Sequence, residues 1–114
     1  MTTLTTTVLD QVSLVDGDTM DLQEALDLGA YRTLGFVLTV HEAGVGDGAT
    51  LVVEHAIDNV STGYVSLEPA VEVSLDAART VAFQVPAFLR WVRWTVSGRL
   101  TTGATVSLSV IARD

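Results

Sequence analysis

Val71-Glu72-Val73-Ser74-Leu75-Asp76-Ala77-Ala78-Arg79-Thr80-Val81-Ala82-Phe83-Gln84-Val85 is the stretch whose reading decides the fold. Val71, Val73 and Leu75 alternate with Glu72, Ser74 and Asp76. After Ala77-Ala78, Val81, Phe83 and Val85 alternate with Thr80, Ala82 and Gln84. Successive side chains of a strand point to opposite faces, so this period of two describes two strands with one apolar and one wet face. The segment reads as a hairpin turning at Ala77-Ala78. Pro86, with no N–H to give a ladder, ends it.

The same rhythm runs in both directions from here. Upstream lie Leu4–Leu14, closed by the turn Val15-Asp16-Gly17-Asp18, then an apolar strand Tyr31–His41 with Leu34, Phe36, Leu38 and Val40 on one face. Glu42–Ala49 holds three glycines and reads as an exposed loop. Thr50–Asp58 follows at a distance that suits a hairpin with Tyr31–His41, and Tyr64–Leu67 is a short strand. Downstream, Phe88–Val96 leads to a turn at Ser97-Gly98-Arg99. The last strand puts Ala104, Val106, Leu108, Val110 and Ala112 inside and Thr105, Ser107 and Ser109 outside. Asp21–Gly29 reads two ways. Asp21 with Glu24 forms a capping box and Gly29 stands where a helix would stop, yet the segment is barely two turns long, so a short helical turn and an irregular crossing both fit.

These segments predict an all-β, single-domain antiparallel sandwich over residues 1–114, of jelly-roll or immunoglobulin-like type. It has seven to eight strands and at most one short helical turn. The 18 valines and 15 threonines agree, since β-branched side chains suit a pleated, half-buried surface. Residues 1–7, Thr-rich and poor in apolar side chains, read as an extended arm able to add a strand to a neighbour's sheet edge.

Charge is divided along the chain. Residues 1–76 carry 13 acids and one base, Arg32; residues 77–114 carry five arginines and one acid, Asp114. The net charge of −8 is thus a sum of −12 and +4, a split that favours stacking of copies or docking on a partner. No lysine is present and the balance is acidic, which opposes nucleic acid, whose phosphates need clustered cations. No apolar run reaches the roughly 20 residues of a membrane span, and Met1–Thr7 has neither the basic nor the apolar region of a secretory signal.

Absence of cysteine removes disulfides, thiolate chemistry and Cys-based metal sites. In the hairpin expected between Tyr31–His41 and Thr50–Asp58, His41 and His55 would stand about 13 Å apart at about 3.3 Å per residue. One zinc ion with bonds of about 2 Å does not span that gap. Asp16, Asp18 and Asp21, or Glu42 and Asp47, are the only acidic clusters that calcium could use, and neither matches an EF-hand. No nucleophile–base motif or phosphate loop occurs, so the expectation is a protein without enzymatic activity, cofactor or metal.

Phe88-Leu89-Arg90-Trp91-Val92-Arg93-Trp94-Thr95-Val96 holds both tryptophans. Alternation sets Phe88, Val92, Trp94 and Val96 toward the core, and Leu89, Trp91, Arg93 and Thr95 outward. Trp91 is then either a partly covered surface residue stacked on an arginine or, with Arg93, an interface anchor of the kind enriched in binding hot spots. Arg90 falls on the core row, which requires a strand end or a bulge. The candidate interface residues are Trp91, Arg93 and Arg99, with Thr2, Thr3 and Leu4 of the arm.

The lead-in Asp27-Leu28-Gly29-Ala30-Tyr31-Arg32 and the late strand Phe88-Leu89-Arg90-Trp91-Val92-Arg93 together resemble small β-sandwich structural proteins of tailed phages and prophages. The likeness runs from Asp27 onward. It implies a virion component assembled in the host cytoplasm, a capsid decoration or head or tail accessory subunit. Such a subunit would bind and reinforce a lattice of major capsid or tail protein, as a homo-oligomer for which trimers are a family expectation. It implies no cofactor, nucleic acid or membrane. The alternative expectation is a carbohydrate- or receptor-binding module of a fibre or adhesin, using Trp91, Tyr64 and the acidic loops.

Overall fold

The computed structural model describes residues 3–15, 17–68 and 70–114. Among these the chain forms nine strands: β1 (Thr3–Leu14), β2 (Leu26–Asp27), β3 (Thr33–Glu42), β4 (Val45–Ala56), β5 (Val65–Ser66), β6 (Glu72–Ser74), β7 (Arg79–Val85), β8 (Trp91–Thr102) and β9 (Ala104–Arg113). One 3-10 turn, Ser61–Gly63, precedes β5. The first sheet runs β1-β9-β3-β7 and the second β2-β8-β4, with β5 and β6 sharing the far side of β4. Every pairing is antiparallel.

Apart from β4 to β5 to β6, each step along the chain changes sheets. That alternation, with β5 and β6 filling one position between them, is the strand order of a jelly roll. It also accounts for two corrections. Val71–Val85 is not a hairpin: β6 pairs β4 in the second sheet, whereas β7 pairs β3 in the first. Nor do the strands around His41 and His55 pair, because β3 and β4 belong to different sheets.

The two sheets bury one continuous core. Leu34, Phe36, Leu38 and Val40 of β3 face Val92, Trp94 and Val96 of β8 across it, with Val106, Leu108 and Val110 of β9. The alternation expected of β3, β8 and β9 is thus realised residue by residue. Trp94 is buried, and its indole N–H has no partner.

Two glycine-rich segments differ from expectation. Residues 45–49 are strand, and Ser97-Gly98-Arg99 is no turn: β4 and β8 pair through both, with Asp47 and Gly48 together opposing Arg99. Two residues against one is a bulge, and bulges need close backbone approach. A side chain on Gly46 would overlap the Arg99 carbonyl, and one on Gly98, at φ +88°, would come within 2.5 Å of the Gly48 carbonyl oxygen.

The Asp21–Gly29 segment holds a turn followed by β2, and no helix. The N–H groups of Glu24 and Ala25 donate to the carbonyls of Asp21 and Leu22, and Asp21 Oδ1 accepts from the Gln23 N–H. The side chain thus closes an Asx turn, which competes with helix initiation. Residues 3–7 are not a free arm, since Thr3 through Thr7 pair with Arg113 through Ser109 of β9.

Candidate functional site: one clasped sheet and one bare sheet

The segments Asp27–Arg32 and Phe88–Arg93 meet in space. Arg90 grips Asp27 with two parallel bonds, Nε to Oδ1 at 2.9 Å and Nη2 to Oδ2 at 2.8 Å. The Leu28 N–H donates to the Arg90 carbonyl at 2.7 Å, and Gly29 leaves room for the Arg90 stem, whose Cγ lies 3.1 Å from where a Cβ would stand. The Arg90 guanidinium lies 5.3 Å from the centre of the Trp91 ring. Residues 63 apart in sequence thus tie β2 to the start of β8. Hydrogen bonds from Arg90, then from the Gly29 N–H, hold the Asp27 carboxyl below its usual range. Arg90 itself precedes β8, so it needs no place in the core row.

Beside this clasp, His55 Nδ1 accepts the Leu89 N–H at 3.1 Å, and burial pushes the imidazole pKa down. His41 lies on the other sheet, with Nε2 2.8 Å from Ser107 Oγ. Among the described residues no three His, Asp or Glu side chains converge as a metal centre would require. Among the described residues no helix is long and apolar enough to cross a membrane.

Arg93 is not an exposed anchor. Its side chain is 13% exposed and its Nε donates to Glu54 Oε1 at 2.9 Å. The guanidinium stacks 4.2 Å from the centre of the Tyr64 ring. The Tyr64 hydroxyl donates to Asn59 Oδ1, and the Asn59 amide donates to the Leu22 carbonyl. Burial raises the Tyr64 pKa. Thr19 bridges to Thr95, and the Met20 and Val96 N–H groups bond across residues 18–20 and β8. Segments 18–22 and 59–64 therefore cover part of the outer face and edge of the second sheet. The charge split along the chain is partly cancelled inside it, because Arg90 and Arg93 take their partners, Asp27 and Glu54, from the acidic portion.

Trp91 is half-buried at the strand end opposite Ala56, and Arg99 is exposed at the bulge. Thr3 and Leu4 sit in β1 against Arg113 and Ala112. Thr2, and Asp16 of the acidic turn, lie outside the described residues. No family model matches the chain, and no curated protein or solved structure matches it.

Sequence reasoning did not single out the outer face of the first sheet. Its rows, read across β1, β9, β3 and β7, are Thr5–Ile111–Gly35–Gln84 and Thr7–Ser109–Val37–Ala82; across the last three strands the next is Ser107–Thr39–Thr80. None of these residues is ionisable. Val37 and Ile111 are 42% and 40% exposed, and a shallow groove whose lining includes Thr5, Val37, Ala82, Gln84 and Ile111, with Arg113 beyond these rows, crosses them. The signal was present in the sequence as strands whose wet face carries Ser, Thr and Val in place of charge.

Proposed function

We propose that this protein is a non-enzymatic structural subunit of a tailed-phage-like particle, a capsid decoration or head or tail accessory protein that binds a protein lattice. The observation that carries this reading is the uncovered first sheet. In a chain of net charge −8, the three rows from Thr5 to Gln84, Thr7 to Ala82 and Ser107 to Thr80 carry no acid, so a second protein surface can approach this apolar and hydroxyl-bearing patch against little repulsion. Support also comes from the Asp27–Arg90 clasp, which gives the two motifs of the phage resemblance one joint structural role. Jelly rolls serve capsid and lectin roles alike, so the fold is compatible without deciding. The glycan-binding alternative loses Tyr64, which lies buried beneath Arg93.

Particles banded on a density gradient from cultures carrying the gene test the reading, with peptide mass spectrometry against the major lattice protein. A fixed ratio of this chain to that protein is expected, together with no saturable binding of the purified protein to a glycan panel. Absence from the particles, or saturable glycan binding, would overturn it.

A further inference from the structure

The first sheet has two edges, and they are built differently. The β1 edge is broken by register shifts between Thr7 and Leu9 and between Leu9 and Val12, with Gln11 at φ 51° and Asp10 between them. Bulges and charges of this kind are how proteins keep an edge strand from pairing. The β7 edge has none. Among the described residues its one strand neighbour is β3, paired without a shift from Leu34–Val85 to Val40–Arg79. Its seven residues contain no proline and one charge, Arg79 at the first position. In the second sheet, β5 and β6 occupy the far side of β4, and β2 is two residues long.

We infer that β7 is an association edge and that its occupant is β7 of a second copy of this chain, antiparallel about a two-fold axis at Ala82. That register sets Thr80 opposite Gln84, Val81 opposite Phe83 and Arg79 opposite Val85, each twice, with Ala82 meeting itself. No like charges face one another. Val81 and Phe83, both half-buried on the core side, would pack against each other across the junction, the aromatic–β-branched pairing that stabilises antiparallel strands. An isologous contact of this type closes with two copies, giving a continuous sheet of eight strands.

Charge is compatible with the same edge. Of the 14 acids, β3, β7 and β9 together contain one, Glu42. Two copies of net charge −8 repel, and the side of the molecule formed by these strands adds little to that repulsion. The inference stands without the particle reading: a dimer can exist in a protein of another function, and particle binding can occur through a monomer.

The test is sedimentation velocity on the purified chain from about 1 µM to about 1 mM, the range of weak, small-area complexes. The expected result is a concentration-dependent species of twice the 12.1 kDa chain mass. Thr80, Ala82 and Gln84 are exposed, so charges there leave the fold intact, checked by circular dichroism. Thr80→Lys with Gln84→Lys sets lysine against lysine twice and should weaken dimerisation at least tenfold. Thr80→Lys with Gln84→Glu sets lysine against glutamate twice and should restore or exceed the original affinity. A monomer throughout the range, a trimer, equal behaviour of the two double variants, or a dimer lost through Thr5→Lys on β1 instead would overturn the inference.

Discussion

Replacing Glu54 by Gln should destabilise the fold by about 2–3 kcal/mol. Removing one partner of a buried ion pair costs about 3–5 kcal/mol, because the survivor stays desolvated without compensation. Here the side chains of Arg93 and Glu54 retain 13% and 17% exposure. Some water therefore reaches the orphaned guanidinium, and the stack on Tyr64 at 4.2 Å persists, which together set the loss at the lower end. Arg93→Met strands the carboxylate instead, and removes the stack, worth about 0.5–2 kcal/mol. The double variant should be less destabilised than the two singles summed, by about 1–3 kcal/mol, since both charges leave together. Urea unfolding followed by tryptophan fluorescence reads this directly. With a slope of about 1–2 kcal/mol/M for a domain of this size, each single variant should lose about 1–2 M in midpoint. Both singles within about 0.5 kcal/mol of wild type would mean that the pair behaves as an exposed one. The assignment of Arg93 to the interior, and its removal from the interface residues, would then be wrong.

Acid should weaken the fold in two steps. The pKa of His55 is depressed by burial, so the unfolded chain binds the proton more readily; stability is full above the unfolded value of about 6.5 and falls as pH drops toward the folded one. Thermal melts from pH 7.5 to 5 should show this decline, and His55→Gln should flatten it. Asp27, also depressed, adds stability present above its unfolded pKa near 3.8 and lost below it, so Asp27→Asn should reduce the acid sensitivity of melts below pH 4. Trp94→Phe should lie within about 1 kcal/mol of wild type: lost burial of about 1 kcal/mol is offset by removing an N–H with no partner. Trp94→Ala should cost about 3–5 kcal/mol by chemical denaturation. Gly46→Ala should cost at least about 1–3 kcal/mol, because its neighbour is the Arg99 backbone rather than a movable side chain.

Which face of β3, β6, β7, β8 and β9 is buried was legible, and which sheet each strand joins was not. The alternation of Val71–Leu75 and Val81–Val85 holds. Two strands joined by Leu75–Ala78 show the same alternation whether they pair or cross to opposite sheets, and a jelly roll chooses crossing. Glycine was ambiguous for a similar reason. In Val45–Ala49 and Ser97–Arg99 it serves a bulge between two long strands, and composition alone does not separate a bulge from a loop. In the candidate site, alternation correctly turned Arg93 away from the core row. It could not reveal that Glu54 and Tyr64 come over to enclose it, because cross-strand register is set by tertiary pairing. The Asp27–Arg90 clasp left a trace as two short motifs occurring together, and the structure supplies the contact that joins them.

Amide hydrogen exchange of the purified chain at low and high concentration tests most directly whether the β7 edge of the first sheet is the contact surface. The account predicts that exchange slows with concentration in peptides covering Thr80–Val85, whose outward amides gain partners, while peptides covering β1 and Phe88–Arg99 are unchanged. Slowing confined to Phe88–Arg99 or to β1, with Thr80–Val85 unaffected at every concentration, would contradict it.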